Sequence, residues 1–170
     1  MLPRPSDPVA VAVIVLAGLA AAAIDLRTRR VPNALTGAVA VMGLALAGIH
    51  AGSVSLVMAI AGCAAGLALM LPGYVLGATG GGDVKLFAAM GTLVGPRAIL
   101  FGFLYTAIAG GVIAVAVALM RSSLRQTVGR AAAMATGGVT AAEVERPLHN
   151  NRFAYAPAIA IGVVAAALRV

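Results

Sequence analysis

The sequence predicts an all-α fold, a polytopic membrane protein whose six transmembrane helices form one bundle. Of the 170 residues, 62% are apolar and 21 more are glycine, whereas only 10% are charged. In soluble globular domains roughly a quarter of the residues are charged, so this composition excludes an ordinary soluble domain. The apolar residues also fall into segments near the length of about 20 residues that a helix needs to cross a bilayer.

Polar or helix-breaking residues delimit the first three predicted helices. The first apolar run, residues 8–24, ends at Asp25 and is followed by three arginines. The second, residues 34–49, follows Pro32 within a Pro-Asn pair, and the third, residues 54–77, ends at a glycine. Each run is apolar enough to be a membrane span.

The remaining predicted helices are less uniform. The fourth segment, residues 84–95, is short, and the fifth, residues 98–120, is long and almost wholly apolar. A polar stretch, residues 121–152, precedes the sixth helix, residues 153–168. We treat residues 1–170 as a single membrane-embedded domain with a cytoplasmic linker at 121–152.

The cations predict the orientation of this bundle. Twelve Lys and Arg face five Asp and Glu. When the connections are taken in alternation, one side holds Arg27, Arg29, Arg30, Lys85, Arg121, Arg125, Arg130, Arg146 and Arg152, and the other holds Arg4, Arg97 and Arg169. The positive-inside rule then places the first, third and fifth connections in the cytoplasm and both termini outside, in a multi-pass membrane protein. The net charge is thereby explained without a nucleic-acid partner.

The first apolar run has an alternative interpretation. Arg4 precedes it and small residues close it, as in a cleaved signal peptide. The three arginines directly after the run favour a retained helix instead.

Glycines recur at a spacing that lets helix backbones approach closely. The pairs are Gly62 and Gly66, Gly73 and Gly77, and Gly91 and Gly95. Small residues four positions apart line close helix contacts in membranes, so a compact bundle is expected.

Two of the five acids are candidates for chemistry. Asp7, Glu143 and Glu145 lie in polar segments where water solvates them. In contrast, Asp25 ends the first apolar segment and Asp83 opens the fourth, both on the predicted cytoplasmic side. Ionisable residues at such positions tend to face the bundle interior or a wet cavity.

Two converging carboxylates can hydrolyse a peptide bond. Like charges at close range cannot both ionise easily, so such a pair shares a proton and supplies one base and one acid. The glycines that precede Asp83 leave room for an extended substrate backbone. Local sequence leaves other roles open: Asp83 could cap its helix, and Asp25 could pair with Arg27 or Arg29.

No metal or other cofactor is expected. Cys63 is the single cysteine and is predicted to be a small packing residue. Neither His50 nor His149 has a second ligand at metal-binding spacing.

Three stretches resemble the type IV prepilin peptidases. Residues 25–33, Asp-Leu-Arg-Thr-Arg-Arg-Val-Pro-Asn, resemble the family's first signature. Residues 80–86, Gly-Gly-Gly-Asp-Val-Lys-Leu, match its second, the GxGD signature of membrane aspartic proteases, and residues 153–162 resemble the start of its last helix. The resemblance implies a six-helix endopeptidase that cuts the basic leader from prepilins at the cytoplasmic face, usually just after a glycine.

The resemblance also assigns roles to single residues. It implies that Asp25 and Asp83 are the catalytic pair, that Gly80, Gly81 and Gly82 form the motif loop, and that Lys85, Pro32 and Asn33 are supporting positions. Physically, Pro32 can preset the start of the second helix and Asn33 can cap it. Lys85 either biases the ionisation of the pair or anchors at lipid headgroups.

Larger members of this family carry two cysteine pairs and methylate the new amino terminus, and this chain departs from them. With one cysteine, it resembles the short, peptidase-only members associated with tight-adherence (Flp) pili, which implies cleavage without methylation. The expected partners are prepilins or pseudopilins and the lipid bilayer; the oligomeric state is left open.

Two other functions remain as alternatives. A protease of the signal-peptide-peptidase or presenilin kind usually has Tyr before its first catalytic Asp, whereas Ile24 precedes Asp25 here. A small proton-coupled transporter would more naturally hold its carboxylates near mid-membrane.

Overall fold

The protein is all-helical in the part of the chain that the structure describes, a computed structural model covering residues 8–28, 30–49, 54–77, 79–120 and 155–169. The helices are α1 (Pro8–Thr28), α2 (Asn33–Gly48), α3 (Leu56–Val75), α4 (Gly81–Met120) and α5 (Ala156–Arg169). By length and composition, α1, α3 and residues 81–116 of α4 could cross a membrane, and α2 and α5 are shorter apolar helices. The predictions of an all-α fold and of a membrane protein are confirmed at this level.

Helix α4 folds back on itself at Gly95. Gly95 has φ 78° and ψ 176°, a left-handed conformation that favours glycine, and Pro96 follows it. The Phe87 and Phe103 rings meet edge to face with centroids 6.2 Å apart. A straight helix would separate these residues by about 24 Å. The helix therefore consists of a first arm, residues 81–94, and a second arm, residues 96–120, which correspond to the predicted fourth and fifth helices.

The first arm of α4 is the central element of the bundle. Leu86, Phe87 and Met90 are fully buried, and Thr92 and Leu93 are almost so. A helix buried on every side lies among other helices, and this arm packs against α2, α3 and the second arm.

Glycines allow α3 and the first arm of α4 to touch backbone to backbone. A Cβ added at Gly62 would collide with the carbonyl oxygen of Gly91, and one added at Gly91 would collide with that of Gly62. A Cβ on Gly66 would lie 2.9 Å from Cα of Ala88. The expected close approach is therefore confirmed for Gly62, Gly66 and Gly91.

Of the other members of the pairs, Gly95 also takes part in this approach, because a Cβ added at Gly62 would lie 2.9 Å from the Gly95 carbonyl carbon. For Gly77 the packing prediction is wrong, since a Cβ there would meet nothing within 4 Å, and the atoms nearest to a Cβ on Gly73 would be those of the Thr79 side chain, beyond the end of α3. Gly77 has φ 72° in the turn after α3, and Gly95 lies at the break of α4. Gly77 and Gly95 lie where the chain reverses, and their positive φ values favour glycine.

Helix α5 packs between α1 and the second arm of α4. A Cβ on Gly18 would lie 2.8 Å from the Cβ of Ala160, and one on Gly162 would collide with Thr106. These close contacts join the last helix to both neighbours.

Two predicted helix boundaries are wrong by about one turn. Helix α1 continues past residue 24 to Thr28, whose hydroxyl donates to the Ile24 carbonyl at 2.9 Å. Helix α4 begins at Gly81 rather than at residue 84. The predicted boundaries followed the apolar runs, whereas helical hydrogen bonding extends into the polar flanks. Asp25 therefore lies in the last turn of α1 and Asp83 in the first turn of α4.

Several predicted features lie outside the described residues. They are the linker at 121–152, residues 153 and 154 of the predicted sixth helix, His50 and His149.

Candidate active site

The structure brings Asp25 and Asp83 together at one end of the bundle. The two carboxylates are close enough for their charges to interact. Asp25 is 5% exposed and Asp83 is 8% exposed, so both are buried in the protein. We call this the aspartate end, the end that contains Asp25, Asp83 and the amino ends of α2 and α5.

Asp83 is held by its own helix. Its Oδ2 accepts a hydrogen bond from the Gly80 amide at 3.2 Å, as the third residue of a helix does in one half of a capping box. Asp83 Oδ1 is buried and has no hydrogen-bond partner in the part of the chain that the structure describes. The interpretation of Asp83 as a helix cap is therefore correct for one carboxylate oxygen. The second oxygen can still accept a hydrogen bond, or donate one when it is protonated.

Asp25 is held by a helix far away in the sequence. Its Oδ2 accepts from the amide of Ala156, the first residue of α5, at 3.2 Å. The amino end of a helix carries unpaired amides and a partial positive charge, which favour a carboxylate. Within the described residues Asp25 forms no ion pair with Arg27, which is exposed, so that alternative is wrong. Arg29 lies outside the described residues.

The glycines before Asp83 have unequal surroundings. A Cβ on Gly82 would lie 3.1 to 3.3 Å from Val31, including its backbone nitrogen and oxygen. One on Gly80 would lie 3.1 Å from Asp83 Oδ2, whereas one on Gly81 would meet the Tyr74 ring at an ordinary 3.4 Å. The space beside Gly82 is thus filled by the protein's own backbone. The prediction that these glycines leave room for a substrate backbone is therefore wrong for Gly82, whereas the atom nearest to a Cβ on Gly80 is the end of a side chain that can rotate.

Lys85 and Asn33 contact each other across two helices. Lys85 Nζ donates to Asn33 Oδ1 at 3.0 Å. The prediction that Asn33 caps α2 is wrong, because Pro32 is the N-cap and Asn33 is the first helical residue. Pro32 has φ −65° and ψ 138°, and its carbonyl accepts from the amides of Leu35 and Thr36. The Asn33 side chain is engaged by Lys85 instead of by the helix end.

Three contributors to the site were not predicted from the sequence. They are the Ala156 amide, the Val31 backbone and Tyr155. The Tyr155 side chain lies within electrostatic reach of Asp83, and its ring fills the space that a side chain on Gly110 would need. Residues 153–162 did carry a signal, but it indicated only the start of a helix and not its contact with Asp25.

The arrangement suits acid–base chemistry within a membrane protein. Two buried carboxylates are brought together, and each has one oxygen held by a backbone amide at a helix start. A pair of this kind can pass a proton between a water molecule and a substrate. Fold and site together define a helical membrane protein with a candidate carboxylate active site.

Comparison with known protein families identifies the family of this chain. A family model described as the type IV leader peptidase family matches residues 12–115, more than half of the chain. The chain belongs to the type IV leader peptidase family and is therefore a peptidase. The matched region includes Asp25, Asp83 and Lys85 and ends before α5. Searches of curated proteins and of solved structures gave no significant match.

Proposed function

We propose that this protein is an aspartic endopeptidase that removes the basic leader from type IV or Flp-type prepilins at the cytoplasmic membrane face. The observation that carries the proposal is the meeting of Asp25 and Asp83, buried, at one end of the bundle. Membership of the leader peptidase family supports the substrate class.

The proposed mechanism uses the two carboxylates as one unit. The ionised Asp takes a proton from a water molecule, whose oxygen attacks the carbonyl carbon of the scissile peptide bond. The protonated Asp donates a hydrogen bond to the carbonyl oxygen. When the tetrahedral intermediate collapses, the C–N bond breaks and a proton is delivered to the leaving amine. The proton belongs to the pair, so neither Asp is assigned as the first base.

The surface charges support a cytoplasmic aspartate end. Arg27, Arg30 and Lys85 are exposed at this end, whereas Arg97 is exposed beside the Gly95 break at the opposite end. Positive charge marks the cytoplasmic side of inner-membrane proteins. With the two arms of α4 as separate spans, the chain crosses the bacterial inner membrane six times and both termini lie outside the cytoplasm.

The same charges limit how a substrate is recognised. A basic leader gains no electrostatic attraction from a basic enzyme surface. We propose that the apolar helix of the prepilin lies against the bundle, while the cations of both partners face anionic lipid.

The position of the carboxylates also favours a peptidase over a proton-coupled transporter. Asp25 lies three residues before the end of α1, and Asp83 is the third residue of α4. A proton-coupled carrier would hold such groups nearer the middle of its helices.

Co-expression with a candidate prepilin tests the proposal. Asp25→Asn and Asp83→Asn keep an acceptor oxygen for the amide bonds but remove the shared proton chemistry. Each is expected to lower cleavage by about 10³-fold or more, which would be seen as accumulated precursor on immunoblots. Asp7→Asn is the matched control and should cleave normally. Cleavage at an unchanged rate by either site variant would exclude the two-carboxylate mechanism.

We also propose that the new amino terminus is left unmethylated. Mass spectrometry of the mature pilin made by this enzyme alone should show an unmodified first residue. A mass higher by one methyl group would contradict this part of the proposal.

A further inference from the structure

Two short segments meet at the aspartate end without belonging to the carboxylate pair. One runs from the α1–α2 connection into the first residue of α2 and contains Val31 and Asn33; the other is the start of α4, which contains Gly82 and Lys85. A Cβ on Gly82 would press on the Val31 backbone, and Lys85 Nζ donates to Asn33 Oδ1 at 3.0 Å. We call the second contact the Asn33–Lys85 link.

The link joins the start of α4, which carries Asp83, to the start of α2, which follows the helix that carries Asp25. Lys85 is two residues after Asp83 on the same helix, and Asn33 begins the helix that follows Asp25 after one short connection. The relative position of these segments therefore sets the separation of the carboxylates. Reacting groups that are misplaced by about 1 Å can cost 10²-fold in rate, so a contact that fixes this separation matters for catalysis.

The electrostatics of the site add a reason for such a contact. The charge of Asp25 interacts unfavourably with that of Asp83, so whenever both are ionised their repulsion favours a wider separation of α1 and the start of α4. The amide bonds of the two aspartates do not oppose this motion, because one runs to Gly80 and the other to α5. Among the described contacts, the packing of Gly82 on Val31 and the Asn33–Lys85 link do connect the two segments.

We propose that Asn33 and Lys85 are positioning residues that hold the start of α4 at the distance the carboxylate pair needs. Lys85 acts through Asn33, and its ammonium is neither the counter-ion of the pair nor a headgroup anchor. Within the described residues Lys85 forms no ion pair with Asp83, and side chains two positions apart on a helix do not face each other. This proposal rests on the proposed peptidase function.

A double-mutant cycle on the full chain in nanodiscs tests the link. The variants are Lys85→Met, Asn33→Ala and the double variant, each assayed for kcat and KM on a prepilin. Each single change should lower kcat about five- to tenfold with KM unchanged, which is near the upper end for a typical hydrogen bond and no more, because the link is exposed to solvent. The double variant should be no slower than the singles, because both remove the same contact.

Conservative variants sharpen the test. Lys85→Arg keeps a cationic donor and Asn33→Asp keeps an acceptor, so each should stay within about twofold of wild type. Arg30→Met removes an exposed cation from the same surface without touching the link and should also stay within about twofold.

Three results would overturn the proposal. Additive losses in the double variant would mean that the two residues act separately. A Lys85→Met defect that scales with the anionic lipid fraction, with Asn33→Ala normal, would make Lys85 a headgroup anchor. A shifted pH profile of kcat in Lys85→Met but not in Asn33→Ala would make Lys85 a counter-ion of the pair.

Thermal unfolding without substrate separates failure of the link from failure of the peptidase proposal. Both single variants should lower Tm by a similar amount, about 2 °C, with no further loss in the double variant. If wild type cleaves no prepilin but the Tm cycle shows this coupling, the proposed substrate is wrong and the link stands. If prepilin is cleaved but Tm and kcat losses are additive, the link is wrong and the peptidase proposal stands.

Discussion

Asp25 and Asp83 are held in the same way by contacts of very different range. Each accepts a hydrogen bond from a backbone amide at 3.2 Å through Oδ2, and each amide lies at the start of a helix. For Asp83 the amide is three residues earlier in the chain, whereas for Asp25 it is 131 residues later. The same kind of contact, a carboxylate at the amino end of a helix, thus arises from local sequence for Asp83 and from tertiary packing for Asp25.

Because of this difference, the hydrogen bonds of the two aspartates are expected to contribute unequally to folding. The bond of Asp83 stays within the first turn of α4, so its loss leaves the bundle contacts in place. The bond of Asp25 ties α1 to α5, and its donor belongs to the fully buried Ala156. Chemistry is expected to need both aspartates equally, whereas folding is expected to depend more on Asp25.

Among variants that keep both aspartates, the largest expected effect on cleavage is at the contact between Gly82 and Val31. Gly82→Val would press a branched side chain on the Val31 backbone and move the start of α4. We expect cleavage to fall about 100-fold, because the carboxylate separation changes. The neighbouring Gly81→Val faces the exposed, movable Tyr74 ring and should lose no more than about threefold. Rates of prepilin cleavage by purified variants measure this difference; equal losses at the two glycines would contradict it.

Truncating each aspartate separates the long-range contact from the local one. Asp25→Ala leaves the buried Ala156 amide unpaired, which should cost about 2 kcal/mol of stability. Asp83→Ala loses a capping bond but removes a buried oxygen without a partner, so it should cost less than about 1 kcal/mol.

Unfolding in detergent micelles would measure both costs, with Asp25→Asn and Asp83→Asn as controls that retain an acceptor. Equal destabilisation by the two alanine variants would show that the α5 contact adds nothing beyond a local cap.

The smallest expected effect tests the local contact alone. In Gly80→Ala the new Cβ would lie 3.1 Å from Asp83 Oδ2, the free end of a side chain that can rotate away. We expect cleavage to fall about fivefold and stability to change by less than about 1 kcal/mol. A large fall in Tm would mean that the Asp83 contact supports the bundle as the Asp25 contact does.

Features that depend on near neighbours in the chain were predictable. The apolar runs indicated the helices, and Asp83 was recognised as a possible cap because its partner lies in the same turn. The boundaries at Thr28 and Gly81 were missed because apolar content does not report helical hydrogen bonds in polar flanks.

Features that depend on distant partners were not predictable. Asn33 has the side chain of an N-cap, yet it bonds to Lys85, 52 residues away, while Pro32 takes the cap position. Arg27 was an obvious partner for Asp25 in the sequence, yet among the described residues Asp25 accepts from an amide of α5. Local sequence offers several candidates for each polar group, and packing selects among them.

By itself, the sequence determined a helical membrane protein with two aspartates at the ends of apolar segments, because composition and periodicity follow directly from what a bilayer tolerates. Only the tertiary structure decided that these aspartates meet, that α5 holds Asp25, and that Gly82 and Lys85 dock on the α1–α2 connection. Such contacts arise where helices cross, and the crossing depends on the shape of the whole bundle rather than on any one segment.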